Sequence, residues 1–159
     1  MLRVLPAETT GQLAHARTLF EEYAAWLGLD LEFQRFSQEL AALPGPYAPP
    51  SGCLLLAEWD NNVAGCVALR KLSDVICEMK RLYVRAPFRR HGIGRRLALR
   101  VIAAARQAGY ERMRLDTLDS MEPARTLYRA LGFREIPPYY HNPIPNAVYF
   151  ELDLTKPGE

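Results

Sequence analysis

The sequence predicts an α/β (α+β) fold: a single domain over residues 1–159, with a mixed, mainly antiparallel sheet flanked by helices. Three observations predict it. Between Cys53 and Val84 three strand-like runs are separated by the turn residues Asp60-Asn61-Asn62 and Leu72-Ser73-Asp74, which reads as an antiparallel meander. A strand-helix-strand-helix-strand succession follows it, and that pattern calls for helices on the faces of one sheet. Apolar residues at helical spacing precede it. No internal repeat, low-complexity tract or linker marks a second domain.

Taken in order, Leu2 to Leu5 is a short strand ended by Pro6. A helix is expected from about Gly11 to Leu27, with Leu13, Ala16, Leu19, Phe20, Tyr23, Trp26 and Leu27 on one face. Thr9 or Thr10 caps its start and Gly28 its end. A second helix is expected over Leu31–Leu43 with Asp30 as N-cap, then a Pro/Gly loop from Pro44 to Gly52. Strands follow at Cys53–Trp59, Val63–Lys71 and Val75–Val84. A helix from Gly92 to Ala108 comes next, closed by Gly109. The chain continues as a strand at Glu111–Leu118, a helix at Glu122–Ala130, a strand start at Phe133–Ile136, a Pro-rich loop at Pro137–Pro145 and a last strand at Ala147–Leu154.

The apolar fraction of 49% and charged fraction of 24% belong to an ordinary globular chain and exclude disorder and collagen-like architectures. Arg or Glu interrupts every candidate apolar stretch, and Met1 to Pro6 lacks the apolar run of a signal peptide, so no membrane association and a cytoplasmic location are expected. Cys53, Cys66 and Cys77 form no CxxC pair and sit in strand-like runs, where a free thiol packs as a small hydrophobe. His15, His91 and His141 are too far apart for a local metal cluster, and no metal is expected.

The net charge of +2 conceals a segregation. Lys80 to Arg114 holds eleven Lys or Arg residues and one acid, while the remainder holds nine bases and seventeen acids. That distribution fits a localised anion site; a solvated helix face would also produce it. No recognition-helix or base-stacking motif accompanies the charge, and the acidic remainder would repel a polyanion, so no nucleic-acid partner is expected.

The segment from Leu82 through Tyr83, Val84, Pro87 and Arg89-Arg90-His91-Gly92-Ile93-Gly94-Arg95-Arg96 is a strand, a loop and a helix start. Glycines there let backbone approach a ligand, and the first helical turn leaves free N–H donors at a positive dipole end, which together cradle phosphate. A P-loop would need Lys-Ser/Thr after Gly94, where Arg95-Arg96 stand, and a dinucleotide fingerprint would need Gly at Leu97.

At this point the chain resembles the GNAT acetyltransferase superfamily. Arg89-Arg90-His91-Gly92-Ile93-Gly94 matches its Arg/Gln-x-x-Gly-x-Gly/Ala signature, and Tyr128-Arg129-Ala130-Leu131-Gly132-Phe133 is similar to its Tyr-x-x-x-Gly-Phe stretch. The resemblance covers Val63 to Phe133. It implies acetyl-CoA as acyl donor, with backbone N–H groups of Arg90, His91, Gly92, Ile93, Gly94 and Arg95 on the pyrophosphate and charge from Arg89 and Arg95 or Arg96. It implies backbone bonds from Leu82, Tyr83 and Val84 to the pantetheine, a splay between that strand and Arg112–Thr117, and Tyr128 near the sulfur as general acid. The implied acceptor is a small-molecule or peptide amine; assembly as a homodimer is left open.

The residues supply a base candidate. Strand alternation would put Glu78, Lys80, Leu82 and Val84 on one face, making Glu78 the first choice of base and Asp116 the second. A structural ion pair with Lys80 or a neighbouring Arg accounts for Glu78 equally well. Tyr128 has a reading as a core aromatic beside Leu127 and Leu131. Glu21, Glu22, Asp30, Glu32 and Glu39 in the N-terminal helices favour a cationic acceptor, or else form a solvated face. The rivals to an enzyme are a CoA-binding regulatory module and, ranked below it, a nucleic-acid-binding domain suggested by the Arg-rich segment.

Overall fold

A computed structural model describes residues 1–156. Its strands are β1 (Leu2–Pro6), β2 (Cys53–Trp59), β3 (Asn62–Lys71), β4 (Ile76–Val84), β5 (Arg112–Leu118), β6 (Arg134–Ile136) and β7 (Ala147–Asp153). Its α-helices are α1 (Thr10–Leu27), α2 (Phe36–Ala42), α3 (Ile93–Gln107) and α4 (Glu122–Ala130). The strands form one sheet in the order β1-β2-β3-β4-β5-β7-β6. Every pairing is antiparallel except β4 with β5, the pair that α3 connects.

The sheet is buried on both faces. One core joins Leu55, Val67, Met79, Leu115 and Phe150 to α3 through Ile93, Leu97, Val101 and Ile102, and to α4 through Tyr128. The other joins Leu54, Leu56, Cys66 and Ala68 to Leu19 and Phe20 of α1 and Phe36 of α2. Alternate residues of β2 and β3 therefore serve opposite cores, as the period of two requires. Thr9 caps α1 through a capping box with Gln12, and Gly28 closes it at φ +69°.

The expected helix over Leu31–Leu43 is interrupted. Glu32–Gln34 is a single 3₁₀ turn, Arg35 sits at φ +57°, and only then does α2 begin. Local side chains make the break. Asp30 Oδ1 accepts the Glu32 N–H at 3.0 Å, which ties Asp30 to the short turn, and Glu32 Oε1 accepts the Ser37 N–H at 3.0 Å, which satisfies a donor of a restarted helix.

The alternation expected along β4 is corrected by a bulge. Cys66 pairs with Tyr83 but Ala68 with Lys80, so Val67 opposes Arg81 and Leu82 together, and Arg81 is at φ +63°. Glu78 and Lys80 therefore do not share a face with Leu82 and Val84. The last two pack with the α3/α4 core, while Tyr83 packs with the α1/α2 core.

Candidate active site

β4 and β5 are paired over Ile76–Glu78 and Arg112–Arg114 and then diverge. Beyond Glu78 no strand pairs with that edge of β4, among the described residues, although β5 continues along β7 to Leu118. The divergence opens a slot of about 70 Å³ whose walls include Trp26, Lys80, Leu82, Asp116, Thr117 and Tyr128.

At the end of β4 the chain makes a 3₁₀ turn at Ala86–Phe88 and enters α3 through Arg90 at φ +69° and Gly92 at φ +74°. Among the described residues, no side chain caps α3. Arg96 N–H is the first to close on the helix, to the Gly92 carbonyl at 3.1 Å. Among the described residues, no acceptor meets the N–H groups from Arg90 to Arg95. A row of free amides at a helix N-terminus, with alternating backbone hand, is a nest for anionic oxygens. A Cβ on Gly92 would meet nothing within 4 Å, so this glycine is required by its torsion. Gly94 lies against Val84 and Leu127, 3.8 and 3.9 Å from where its Cβ would stand.

The arginines around the nest differ in their engagements. Arg89 donates from Nε to the Val84 carbonyl at 2.9 Å and lays its guanidinium 4.8 Å from the Trp26 ring centre. Arg90, Arg95 and Arg96 are exposed and form no ion pair among the described residues. His91 stacks on Trp59 at 4.7 Å.

Tyr128 lies 6% exposed against Phe133 and Phe150. Its ring belongs to the core, yet the residue also lines the slot, and its hydroxyl bonds to no group among the described residues. Burial pushes the phenol well above its ordinary value, so it keeps its proton at neutral pH.

Glu78 is 1% exposed and fully engaged. Oε1 accepts Arg70 Nε at 2.7 Å with Lys80 Nζ at 3.8 Å, and Oε2 accepts the Tyr139 hydroxyl at 2.5 Å. Burial alone would raise this carboxyl, but Lys80 and Arg70 together outweigh it and hold it below the usual range. It stands behind the slot, which its side chain does not line. Asp116 does line the slot: Oδ2 accepts the Tyr140 hydroxyl at 2.5 Å and Asn142 Nδ2 at 3.4 Å, while Oδ1 accepts from no described residue. Burial, with Arg81 beside it, pulls the Lys80 ammonium down to about 8.

The profile of the Acetyltransferase (GNAT) family matches residues 15–133. The chain belongs to this family of acetyltransferases. An uncharacterised N-acetyltransferase of Schizosaccharomyces pombe is 44% identical over 142 residues, covering 88% of this chain and 87% of that protein. The fold matches an acetyltransferase of Streptococcus agalactiae at TM-score 0.80 and 20% identity, over 96% of this chain and 98% of that one. It also matches a GNAT acetyltransferase of Elizabethkingia anophelis, whose structure holds acetyl-CoA, at TM-score 0.65 and 23% identity over 96% and 97% of the two chains.

On this GNAT fold a second, larger cavity of about 450 Å³ adjoins the slot, with Lys80 in the walls of both. Gln34, Arg35, Tyr47, Arg70 and Tyr140 line it. The sequence reading left out Gln34, Arg35, Arg70 and Lys80 as site residues. The signal was Glu78-Lys80-Arg81 inside an otherwise buried strand, since charges on such a strand must be paired or functional. The acids of the N-terminal helices are largely engaged. Glu39 takes both oxygens to Arg81 at 2.9 and 2.8 Å, Glu22 pairs with Arg85 at 2.7 Å, and Glu32 holds Ser37. Among the described residues no helix is long and apolar enough to cross a membrane.

Proposed function

We propose that the protein transfers the acetyl group of acetyl-CoA to a primary amine by direct attack in a ternary complex. The observation that carries this reading is the adjacency of three features: the free amides from Arg90 to Arg95, the open edge of β4, and a slot lined by Tyr128 and Asp116. Amides and helix dipole suit a pyrophosphate, with Arg90, Arg95 and Arg96 adding screened positive charge. The edge after Glu78 offers backbone groups of Leu82 and Tyr83 to an extended amide chain as an added strand would. The Val84 carbonyl is the exception, because Arg89 already donates to it.

The chemistry needs a proton acceptor, a proton donor and a polarised carbonyl. Asp116, which lines the slot and whose Oδ1 accepts from no described residue, takes the proton from the ammonium, directly or through one water. The amine nitrogen then attacks the thioester carbon, the N–C bond forms and the C–S bond breaks. Tyr128 gives its proton to the leaving sulfur, and the acylated nitrogen gives up its second proton to solvent, which returns one to Tyr128. Glu78 serves as the buried anion that fixes Arg70, Lys80 and Tyr139.

The test is thiol release from acetyl-CoA against a broad panel of amines, with acetyl-CoA affinity measured by calorimetry. Turnover with at least one amine supports the transferase. Tight acetyl-CoA binding with no turnover across the panel would identify a regulatory CoA-binding module and refute the proposal.

A further inference from the structure

The 450 Å³ cavity beside the slot is of small-molecule size, and its charges select among amines. Arg35, Arg70 and Lys80 line it with a single carboxylate, that of Glu39. Both Glu39 oxygens already accept from Arg81, which is buried behind the wall. Glu78 offsets part of the charge of Arg70 and Lys80 from beneath, through Arg70 Nε and at 3.8 Å from Lys80. The terminal nitrogens of Arg70 donate to no described residue, and neither does the guanidinium of Arg35, an exposed residue of the cavity wall. Among the described residues, the cavity therefore presents cationic donors to its occupant and no free anion.

The polarity reverses toward the slot. Lys80 Nζ donates to Gln34 Oε1 at 3.0 Å, Gln34 Nε2 to the Tyr140 hydroxyl at 3.2 Å, and that hydroxyl to Asp116. This polar chain runs from the cationic cavity to the carboxylate at the slot, with Lys80 at the junction. An occupant bridging the two carries its negative end among Arg35, Arg70 and Lys80 and its amine at Asp116.

Resting on the acetyl-transfer reading above, we propose that the acceptor is a small zwitterion, an amine that also bears a carboxylate, as an α- or ω-amino acid does. Polyamines and protein lysine side chains lack the anionic end and meet three cations. A half-exposed ion pair is worth up to about 1 kcal/mol, or roughly fivefold in affinity, and several converging on one carboxylate multiply.

The experiment compares free amino acids, the same compounds as carboxamides, and spermidine, by thiol release from acetyl-CoA. Acids are expected to have kcat/KM at least about 10-fold above their carboxamides, carried by KM. Arg35→Gln should raise KM for the acids about fivefold more than for the carboxamides, with the KM for acetyl-CoA unmoved. Arg70→Gln should weaken the preference for acids as Arg35→Gln does, whereas Arg70→Lys, which keeps a cation over Glu78, should retain it. Equal or better turnover of the carboxamides or of spermidine overturns the zwitterion inference while leaving acetyl transfer standing. So does an Arg35→Gln effect equal for acids and carboxamides. No thiol release with any compound overturns both readings.

Discussion

Tyr128→Phe isolates one oxygen. The ring packs on Phe133 and Phe150 with centroids at 5.6 and 6.1 Å, and those contacts survive the change. The hydroxyl bonds to nothing among the described residues, so its removal leaves no buried partner stranded. Stability should therefore move by less than about 0.5 kcal/mol, or roughly 2 °C in Tm for a chain of this size. Acetyl-CoA affinity should stay the same, because the nest and the open edge of β4 lie on other elements. Turnover is another matter. General acid catalysis contributes about 10²–10⁴-fold, and a thiolate is already a fair leaving group, so a fall toward about 10²-fold is expected. The assay is single-turnover acetyl transfer, which separates chemistry from product release. Wild-type single-turnover rate in Tyr128→Phe would refute the acid role and leave Tyr128 a core aromatic. Loss of Tm and CoA affinity together would instead assign the hydroxyl a structural task.

Gly92→Val should abolish acetyl-CoA binding in calorimetry while the fold persists: its Cβ meets no protein atom within 4 Å, and a left-handed non-glycine residue costs about 1–2 kcal/mol. Asp116→Asn should lower turnover and remove the acidic limb of the pH–rate profile, whereas Glu78→Gln should keep that limb; the reverse pattern would return the base role to Glu78. Because Glu78 is held below the ordinary carboxylate range, its ionisation stabilises the fold above about pH 4, and that contribution is lost as pH falls further. Glu78→Gln should accordingly flatten the acid side of a Tm–pH curve. Glu39→Ala leaves Arg81 charged at 3% side-chain exposure and should cost about 3–5 kcal/mol, read as a Tm drop of about 10 °C.

Sequence patterning was most informative where one period governed a whole segment. The meander, α3 and α4 follow from turn residues and uninterrupted apolar spacing, and Glu122–Ala130 has the expected bounds. The break at Arg35 was hidden because its cause is a reach of Glu32 to Ser37, an interaction that helical spacing does not encode. The bulge at Arg81 was hidden for a similar reason. Nothing in Lys80-Arg81-Leu82 announces that two residues will face Val67, and a shift of one residue reverses every side chain after it. The nest was legible in Gly92 and Gly94, whose spacing directly encodes a loop entering a helix. The cationic cavity was not, since Arg35, Arg70 and Lys80 come from three separate stretches of chain. Gly65 belongs with the unread features: a Cβ there would stand 2.5 Å from the Tyr83 carbonyl, so β3 needs glycine to approach β4 this closely.

The bulge is what lets one strand serve two sites. With strict alternation, Lys80, Leu82 and Val84 would point to the same side, and either the cation or the apolar pair would be on the wrong face. The extra residue at Arg81 turns Leu82 and Val84 to the α3/α4 core, where Val84 supports Gly94 beneath the nest. Lys80 remains in the wall shared by the cavity and the slot. A left-handed arginine is an uncommon way to build such a turn, and its torsion costs about 1–2 kcal/mol. What offsets that cost is the side chain: two hydrogen bonds to Glu39 of α2, and a guanidinium 5.2 Å from the Phe36 ring centre. The same contacts hold α2 against β4 and so set the width of the cavity beyond it. Loss of Glu39 should therefore be felt at two distances, in the stability of the whole fold and in the KM of the acceptor, while the nest at Gly92 continues to bind acetyl-CoA.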